Sequence, residues 1–134
     1  MQPASQRFAP HILDAVRRQL VELVATNTQI TLAVVTSADG FEVAAHPDLP
    51  MAQRIAAMSS SLQALSEAMA REASLSRSRN LIIEADSGTI VVLGIPDISP
   101  RLSLAVVASG SEILGRLLWV TRSCSAALAR SLRA

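Results

Sequence analysis

The sequence predicts an α/β domain of the α+β kind, a three-layer α/β/α sandwich with the element order α-β-β-α-β-β-β-α. Long segments with apolar residues at helical spacing alternate with shorter apolar segments of strand length. Asp39-Gly40 and Asp86-Ser87-Gly88 are turn sequences that join neighbouring strands as hairpins, so the five-stranded sheet should be mostly antiparallel. Several strands are apolar on both faces, which requires helices on both sides of the sheet.

The composition limits the classes of protein to which the chain can belong. Its 134 residues favour a single domain, which we place at residues 11–134 after a flexible arm over residues 1–10. Half of the residues are hydrophobic and the net charge is +1, which excludes intrinsic disorder. All 12 basic residues are Arg, spread along the chain, and aromatic residues make up only 2%. We expect no nucleic-acid partner, because such domains carry a basic excess or aromatic stacking platforms.

The N-terminus and the cysteine content predict a cytoplasmic protein. The first ten residues lack the apolar stretch of a secretory signal. No segment reaches the roughly 18 apolar residues of a membrane-spanning helix, so we expect no membrane partner. Cys124 is the only cysteine, which rules out an internal disulfide and a cysteine-based zinc site.

The first half of the chain contains two predicted helices and one hairpin. Residues 11–26 form the first helix, and residues 30–36 and 41–45 form the strands of the hairpin. A long helix follows over residues 50–76, with Asp48 as its expected cap. The core face of the first helix comprises Leu13, Val16, Leu20, Leu23 and Val24.

The second half contains three predicted strands and a final helix. The strands span residues 80–85, 89–95 and 102–108. Ser109 and Glu112 match a capping box at the start of the last helix, which ends near residue 132. The buried face of that helix is predicted to comprise Ile113, Leu117, Val120, Cys124 and Leu128.

The long central helix carries the most informative pattern in the sequence. Its large apolar residues form one narrow stripe, which we interpret as its core face: Met51, Ile55, Met58, Leu62, Leu65 and Met69. Small residues flank the stripe on both sides, namely Ala57, Ser61, Ala64 and Ala68 on one and Ala52, Ser59, Ser66 and Ala70 on the other. The back of the helix carries Gln53, Ala56, Ser60, Gln63, Glu67 and Arg71.

Two interpretations of the small residues are open. They can reflect helix propensity in a biased composition, or they can form a smooth surface that another protein approaches closely. The strand at residues 80–84 raises a similar choice, because it is either an unprotected edge that invites pairing or a strand inside the sheet. We assign six residues to a homodimer interface: Ala57, Ser61, Ala64, Ala68, Leu81 and Ile83. We assign the back of the helix to a further partner.

The sequence contains no arrangement of residues that predicts catalysis or metal binding. His11 and His46 are the only histidines, and neither lies at a metal-ligand spacing. Cys124 falls on an apolar helix face, where a buried structural thiol is expected. No Gly-x-Ser-x-Gly elbow is present, and the absence of Lys excludes a P-loop. We therefore predict no enzyme activity, no cofactor and no metal site.

Four segments of the chain resemble the roadblock/dynein light chain domain family. Residues 32–44 resemble the first hairpin of that family, and residues 54–67 resemble its Ala-rich central helix. Residues 80–92 are similar to its third and fourth strands, and residues 104–108 followed by 113–117 to its fifth strand leading into its last helix. The most specific part is the Asp39-Gly40 hairpin together with the Ala/Ser/Leu-rich helix. The likeness covers about residues 11–133.

The resemblance implies a non-enzymatic scaffold that dimerises through the central helix and the third strand, joining two sheets into one. Bacterial relatives bind small Ras-like GTPases, and some stimulate nucleotide hydrolysis or exchange on them, whereas eukaryotic relatives serve dynein or lysosomal scaffolds. The Arg-rich, Lys-free composition fits a bacterial member better. No single Arg matches a family motif, so we assign no arginine finger.

Three functions are therefore under comparison. The first is a homodimeric regulatory module that binds a small Ras-like GTPase. The second is a sensory module that binds a small ligand between sheet and helices, and the third is an assembly scaffold with no GTPase partner. The strands lack the convergent polar side chains that a ligand site needs, which weighs against the second function.

Overall fold

The computed structural model describes residues 7–78, 80–111 and 113–133 and confirms the three-layer sandwich. The helices are α1 (Pro10–Thr26), α2 (Met51–Glu72) and α3 (Leu114–Arg133). The strands are β1 (Ile30–Ser37), β2 (Glu42–His46), β3 (Asn80–Ala85), β4 (Gly88–Gly94) and β5 (Leu102–Ser109). The element order and the positions of both hairpins are those that the sequence predicts.

The five strands form one sheet in the order β2-β1-β5-β4-β3, and all four pairings are antiparallel. The last strand of the sequence, β5, therefore lies at the centre between the two hairpins. β3 lies at one edge of the sheet, where it pairs only with β4. The sequence leaves open whether this strand lies at the edge of the sheet or inside it, and in the structure it lies at the edge.

The sheet separates a large core from a small one. On one face, α1 and α3 pack together over the strands, and the predicted core residues Leu13, Val16, Leu20 and Leu23 of α1 are buried there. The other face carries α2 alone. Its core comprises the large side chains Leu32 and Val34 of β1 and the small side chains Ala52 and Ala56 of α2.

Small residues let α2 lie close to the sheet and to the β1–β2 turn. The Thr36 hydroxyl donates to the carbonyl oxygen of Ala56 at 3.4 Å, and the Ser60 hydroxyl donates to that of Ala38 at 2.6 Å. Gly40 has φ +90°, and a Cβ at that position would be 3.5 Å from the Cα of Ala57. Larger residues on this side of α2 would therefore push the helix away.

The prediction that the large apolar stripe of α2 is its core face is wrong. Met58 is 53% exposed, Leu65 is 61% exposed and Met69 is 72% exposed. The residues of α2 that are buried are Ala52, Ala56 and Ser59. Helical periodicity finds the apolar faces of a helix, but it does not determine which of two such faces meets the sheet. The close approach at the β1–β2 turn leaves space only for the small residues.

The ends of the helices differ from the predicted ones. α2 begins at Met51 with Pro50 in the N-cap position and no side-chain cap, so the expected cap at Asp48 is wrong. It ends at Glu72 because Ser74 adopts φ +60° and the chain reverses. Ile113 precedes α3 and is 72% exposed, not buried as predicted, because the helical spacing does not extend to it. Glu112 lies outside the described residues, and with it the proposed capping box.

Candidate interaction surface

The α2 stripe (Met51, Ile55, Met58, Leu62, Leu65 and Met69) lies on the side of the helix that is turned toward β5, β4 and β3. Two contacts fix this orientation. Ile55 packs in the same small core as Val107 of β5. Ser66 and Ser78 share a hydrogen bond of 2.6 Å, and Ser78 lies just before β3. The stripe therefore borders the part of the sheet that α2 leaves uncovered.

An apolar shelf continues from the stripe to the edge of the sheet. Val107 pairs with Ile90 of β4, and Ile90 pairs with Ile83 of β3, so the three side chains lie side by side on the α2 face. Ile83 is 38% exposed, and Leu81, two residues earlier, points to the same face and is partly buried. The shelf consists of Leu81, Ile83, Ile90 and Val107.

The outer edge of β3 completes this surface. Among the described residues, no strand pairs with that edge, and Leu81, Ile82 and Ile83 bring neither charge nor proline to it. Edges of this kind present free backbone N–H and C=O groups and invite pairing. We call the stripe, the shelf and the outer edge of β3 together the α2–β3 surface.

The residues predicted for the dimer interface divide into two groups. Leu81 and Ile83 belong to the α2–β3 surface. Ala57, Ser61, Ala64 and Ala68 are all exposed, but they lie on the side of α2 that points away from the sheet. The structure thus brings only the two strand residues together with the stripe, and the assignment of the four helix residues to the dimer stays a prediction.

The residues predicted for partner binding are only partly available to a partner. Ala56 is 0% exposed, so its assignment to a partner surface is wrong. The sequence predicts Ala56 at the back of the helix because the stripe is interpreted as the core face. Ser103 donates a hydrogen bond to Gln63, and Glu67 lies 3.9 Å from Arg101. Ser60 donates to the β1–β2 turn. Gln53 and Arg71 are exposed.

A groove of about 770 Å³ runs between α2 and the β4–β5 connection. Gln63, Glu67, Arg77, Asp97 and Arg101 contribute to its walls. Three of these charged groups have ion-pair partners, because Arg101 pairs with Glu67 and Asp97 pairs with Arg133 outside the groove, each at 3.9 Å. Within the described ranges, no cluster of His, Cys, Asp or Glu could hold a metal ion.

Cys124 and Asp39 have shifted pKa values and structural roles. Burial raises the pKa of the Cys124 thiol to about 12, so the thiol is protonated at neutral pH and is not an activated nucleophile. A hydrogen bond from the Ser37 hydroxyl lowers the pKa of Asp39, whose carboxylate also lies 3.3 Å from Arg7. Asp39 therefore stabilises the β1–β2 turn, as predicted.

Sequence reasoning missed Met58, Leu65 and Met69 as surface residues. The sequence contains a signal for their exposure, because the helix has an apolar stripe and also a separate row of small, uncharged residues. A helix on one sheet needs only one buried face. A second apolar face indicates a second contact, and the small residues Ala52, Ala56 and Ser59 form the face that is buried against the sheet.

No helix in the described part of the chain has the length and apolar character that crossing a membrane requires.

Comparisons with known proteins agree with this architecture. The family model of the Roadblock/LC7 domain matches residues 17–108. None of the curated proteins compared with the chain matches it. The gliding protein MglB of Thermus thermophilus is 17% identical and superposes with a TM-score of 0.81 over 99% of this chain and 98% of that one.

Two further solved structures have the same fold. The Roadblock/LC7 domain from Streptomyces avermitilis is 23% identical, with a TM-score of 0.77 over 88% of this chain and 98% of that one. MglB of Myxococcus xanthus is 11% identical, with a TM-score of 0.77 over 92% of this chain and 91% of that one. At these identities the likeness establishes the fold.

Proposed function

The chain belongs to the Roadblock/LC7 domain family, and on this basis we propose that it is a homodimeric regulatory or scaffold module whose dimer binds a small Ras-like GTPase. The observation that carries the dimer is the α2–β3 surface. It combines large exposed side chains, an apolar shelf and an unpaired strand edge in one continuous area. Contiguous apolar surface of this kind marks protein contacts.

The geometry of the surface favours one arrangement of two copies. A two-fold axis perpendicular to the sheet pairs the two β3 edges antiparallel and leaves both α2 helices on the same side of the joined sheet. An axis parallel to the strands would put the two helices on opposite sides, where the stripes could not meet. The stripes are covered only in the first arrangement, so both the β3 strands and the α2 helices run antiparallel. The two copies use the same patch, as an isologous interface requires.

Burial of the stripe provides the driving force for association. Burying a side chain such as Leu65 or Met69 contributes roughly 1.5–3 kcal/mol. Because both copies bury the same side chains, each of these contributions counts twice in the free energy of association. Association must offset about 4–15 kcal/mol of lost translational and rotational freedom, which several such side chains together can supply. One solved MglB structure has a tetrameric arrangement, so assembly of copies is compatible with this fold.

We place the GTPase contact on the outer side of α2, and this role replaces the dimer contact that the sequence predicts for Ala57, Ser61, Ala64 and Ala68. Once the stripe is covered, Ala57, Ala64 and Ala68 remain exposed, with Gln53 and Arg71 beside them. The two-fold axis places two such rows next to each other as a smooth platform with little charge. Small side chains there let a second protein approach the helix backbones closely. The GTPase as partner is what the family resemblance implies.

A pull-down with nucleotide-loaded GTPase tests the partner. The probe is a Ras-like GTPase encoded near this chain, loaded either with GDP or with a non-hydrolysable GTP analogue. A regulatory module is expected to retain one nucleotide state preferentially. Equal binding or no binding in both states would contradict the regulatory function and would favour a scaffold with no GTPase partner.

Substitution of Ala64 by Arg is expected to weaken GTPase binding at least about tenfold, because a long charged side chain holds the partner away from the platform. Ala64 is exposed, so the fold should be unaffected. Binding is measured by titration of the labelled GTPase, and the mass of the variant by light scattering. Ala25→Arg, the same change at an exposed position of α1, is the matched control. Wild-type affinity in Ala64→Arg would contradict the placement of the contact.

The ligand-binding alternative has less support. The groove beside α2 has a volume of about 770 Å³, but the charged groups on its walls include Glu67 and Arg101, which pair with each other, and Asp97, which pairs with Arg133. Ligand sites combine apolar walls with a few convergent polar groups. We therefore do not propose a small-molecule function.

A further inference from the structure

We propose that Arg54 of one copy and Glu72 of the other form an ion pair, made twice by the two-fold axis, that fixes the antiparallel register of the α2 helices. This inference rests on the proposed homodimer and specifies the charge recognition within it. It gives a role in the dimer to two residues that neither the fold of the single chain nor the apolar stripe requires. Both residues are exposed.

The spacing of the two residues places them on one side of the helix. They are 18 residues apart, which is five full turns at 3.6 residues per turn. Their positions along the axis differ by about 27 Å. Both lie on the flank of the stripe, in line with its solvent side, so Arg54 stands near one end of the stripe and Glu72 near the other.

Four residues of the stripe, Met58, Leu62, Leu65 and Met69, have nearly the same centre as this charged pair. The midpoint between Arg54 and Glu72 is position 63, and the stripe residues Met58 and Met69 are symmetric about a point half a residue further along. Leu62 and Leu65 are symmetric about that same point. An antiparallel pair centred there puts Leu62 against Leu65 of the second copy and Met58 against Met69. The same register brings Arg54 beside Glu72 of the second copy.

The two charges do not serve their own helix or domain. Arg54 lies in the first turn of α2 and Glu72 is its last residue, and the helix dipole disfavours a cation at the first position and an anion at the second. In the antiparallel pair each charge lies near the opposite end of the other helix, where the dipole favours it. None of the ion pairs among residues 7–78, 80–111 and 113–133 includes Arg54 or Glu72.

The remaining charges of α2 are placed elsewhere. Glu67 pairs with Arg101 of its own chain. Arg71 lies about 100° around the helix from Glu72, on the far side from the stripe. The flank of the stripe thus carries one positive charge at its start and one negative charge at its end. This pattern is self-complementary only for antiparallel helices, since a parallel pair would bring like charges together.

Charge reversal tests the register. In Arg54→Glu both pairs become Glu against Glu, and in Glu72→Arg both become Arg against Arg. At low salt we expect the dimer Kd of each variant to rise about 30-fold, because two favourable pairs are replaced by two repulsive ones. The double variant Arg54→Glu/Glu72→Arg restores both pairs and should recover a dimer Kd close to that of the wild type.

Mixing the two single variants provides the decisive readout. An Arg54→Glu chain and a Glu72→Arg chain form two complementary pairs with each other, so an equimolar mixture should contain mainly heterodimer. Native mass spectrometry with one chain carrying a tag measures the proportions. In 1 M salt the excess of heterodimer should fall toward the statistical value. Arg18→Glu, the same charge change at an exposed position of α1, should leave the dimer Kd unchanged.

The outcomes separate this inference from the proposed dimer. If the wild type dimerises but both single variants dimerise equally well and mix statistically, the register proposal is overturned and the dimer stands. If the wild type is monomeric at every concentration tested, the dimer and the register both fail. Thermal unfolding of each variant, followed by circular dichroism, shows that a loss of dimer is not a loss of fold.

Discussion

Substitution of Leu65 by Glu is expected to convert the dimer to a monomer and to leave the fold of the chain intact. Leu65 lies near the centre of the α2 stripe and is 61% exposed in the single chain, so the monomer does not need its apolar side chain. In the proposed dimer the carboxylate would be buried among Leu62 and Met69 side chains in both copies. Burying an unpaired carboxylate costs several kcal/mol, and the two-fold axis makes this cost arise twice, so the dimer Kd should rise more than about 100-fold.

Sedimentation equilibrium over a range of concentrations measures this change. Ile113→Glu is the matched control, because Ile113 is similarly exposed but lies beside α3 on the opposite layer. The control variant should retain the mass of the wild type. A Leu65→Glu variant with the wild-type dimer Kd would show that the stripe is not the interface.

Substitution of Ala56 by Leu is expected to lower the free energy of unfolding by about 1–3 kcal/mol, which is typical of overpacking in a close-packed core. Ala56 is 0% exposed and packs on Leu32 and Val34 of β1. Its carbonyl oxygen also accepts the Thr36 hydroxyl at 3.4 Å, so the helix cannot move away without breaking that contact. Urea unfolding followed by circular dichroism measures the difference.

The matched control for this prediction is Ala68→Leu, the same change at an exposed position of the same helix. It should alter the free energy of unfolding by no more than about 0.5 kcal/mol. All variants are compared at one protein concentration, because dimerisation adds to apparent stability by mass action. Equal stability of Ala56→Leu and the wild type would mean that α2 does not pack on the sheet through its small residues.

The sequence predicts the elements of this fold well because local chemistry determines them. Asp39-Gly40 and the turn before Gly88 fix the two hairpins, and the spacing of Leu13, Val16 and Leu20 fixes the core face of α1. The position of β5 between the hairpins is not encoded locally. The central position goes to the strand that buries the most apolar surface on both of its faces, and this burial depends on how the whole sheet packs.

The candidate site could be predicted only in part. Leu81 and Ile83 were found from the lack of charge or proline in their strand, and this signal is local. The stripe of α2 was given the wrong role because periodicity alone cannot decide between its two apolar faces. The decision depends on volume, since the β1 side chains Leu32 and Val34 fill the space under the helix and leave room there for the small residues Ala52 and Ala56. Such packing arises only in three dimensions.

Amide hydrogen exchange in β3 tests most directly whether two sheets join through the α2–β3 surface. The amides of Asn80–Ala85 that do not face β4 are open to solvent in a single chain and would be hydrogen-bonded to a second β3 in the dimer. We predict that the exchange of this segment slows as protein concentration rises, and that Leu65→Glu abolishes the slowing. The contradicting result would be a wild-type protein that has twice the 14.2 kDa mass of one chain but whose β3 amides exchange equally fast at all concentrations. Such a dimer would not join its two sheets through β3.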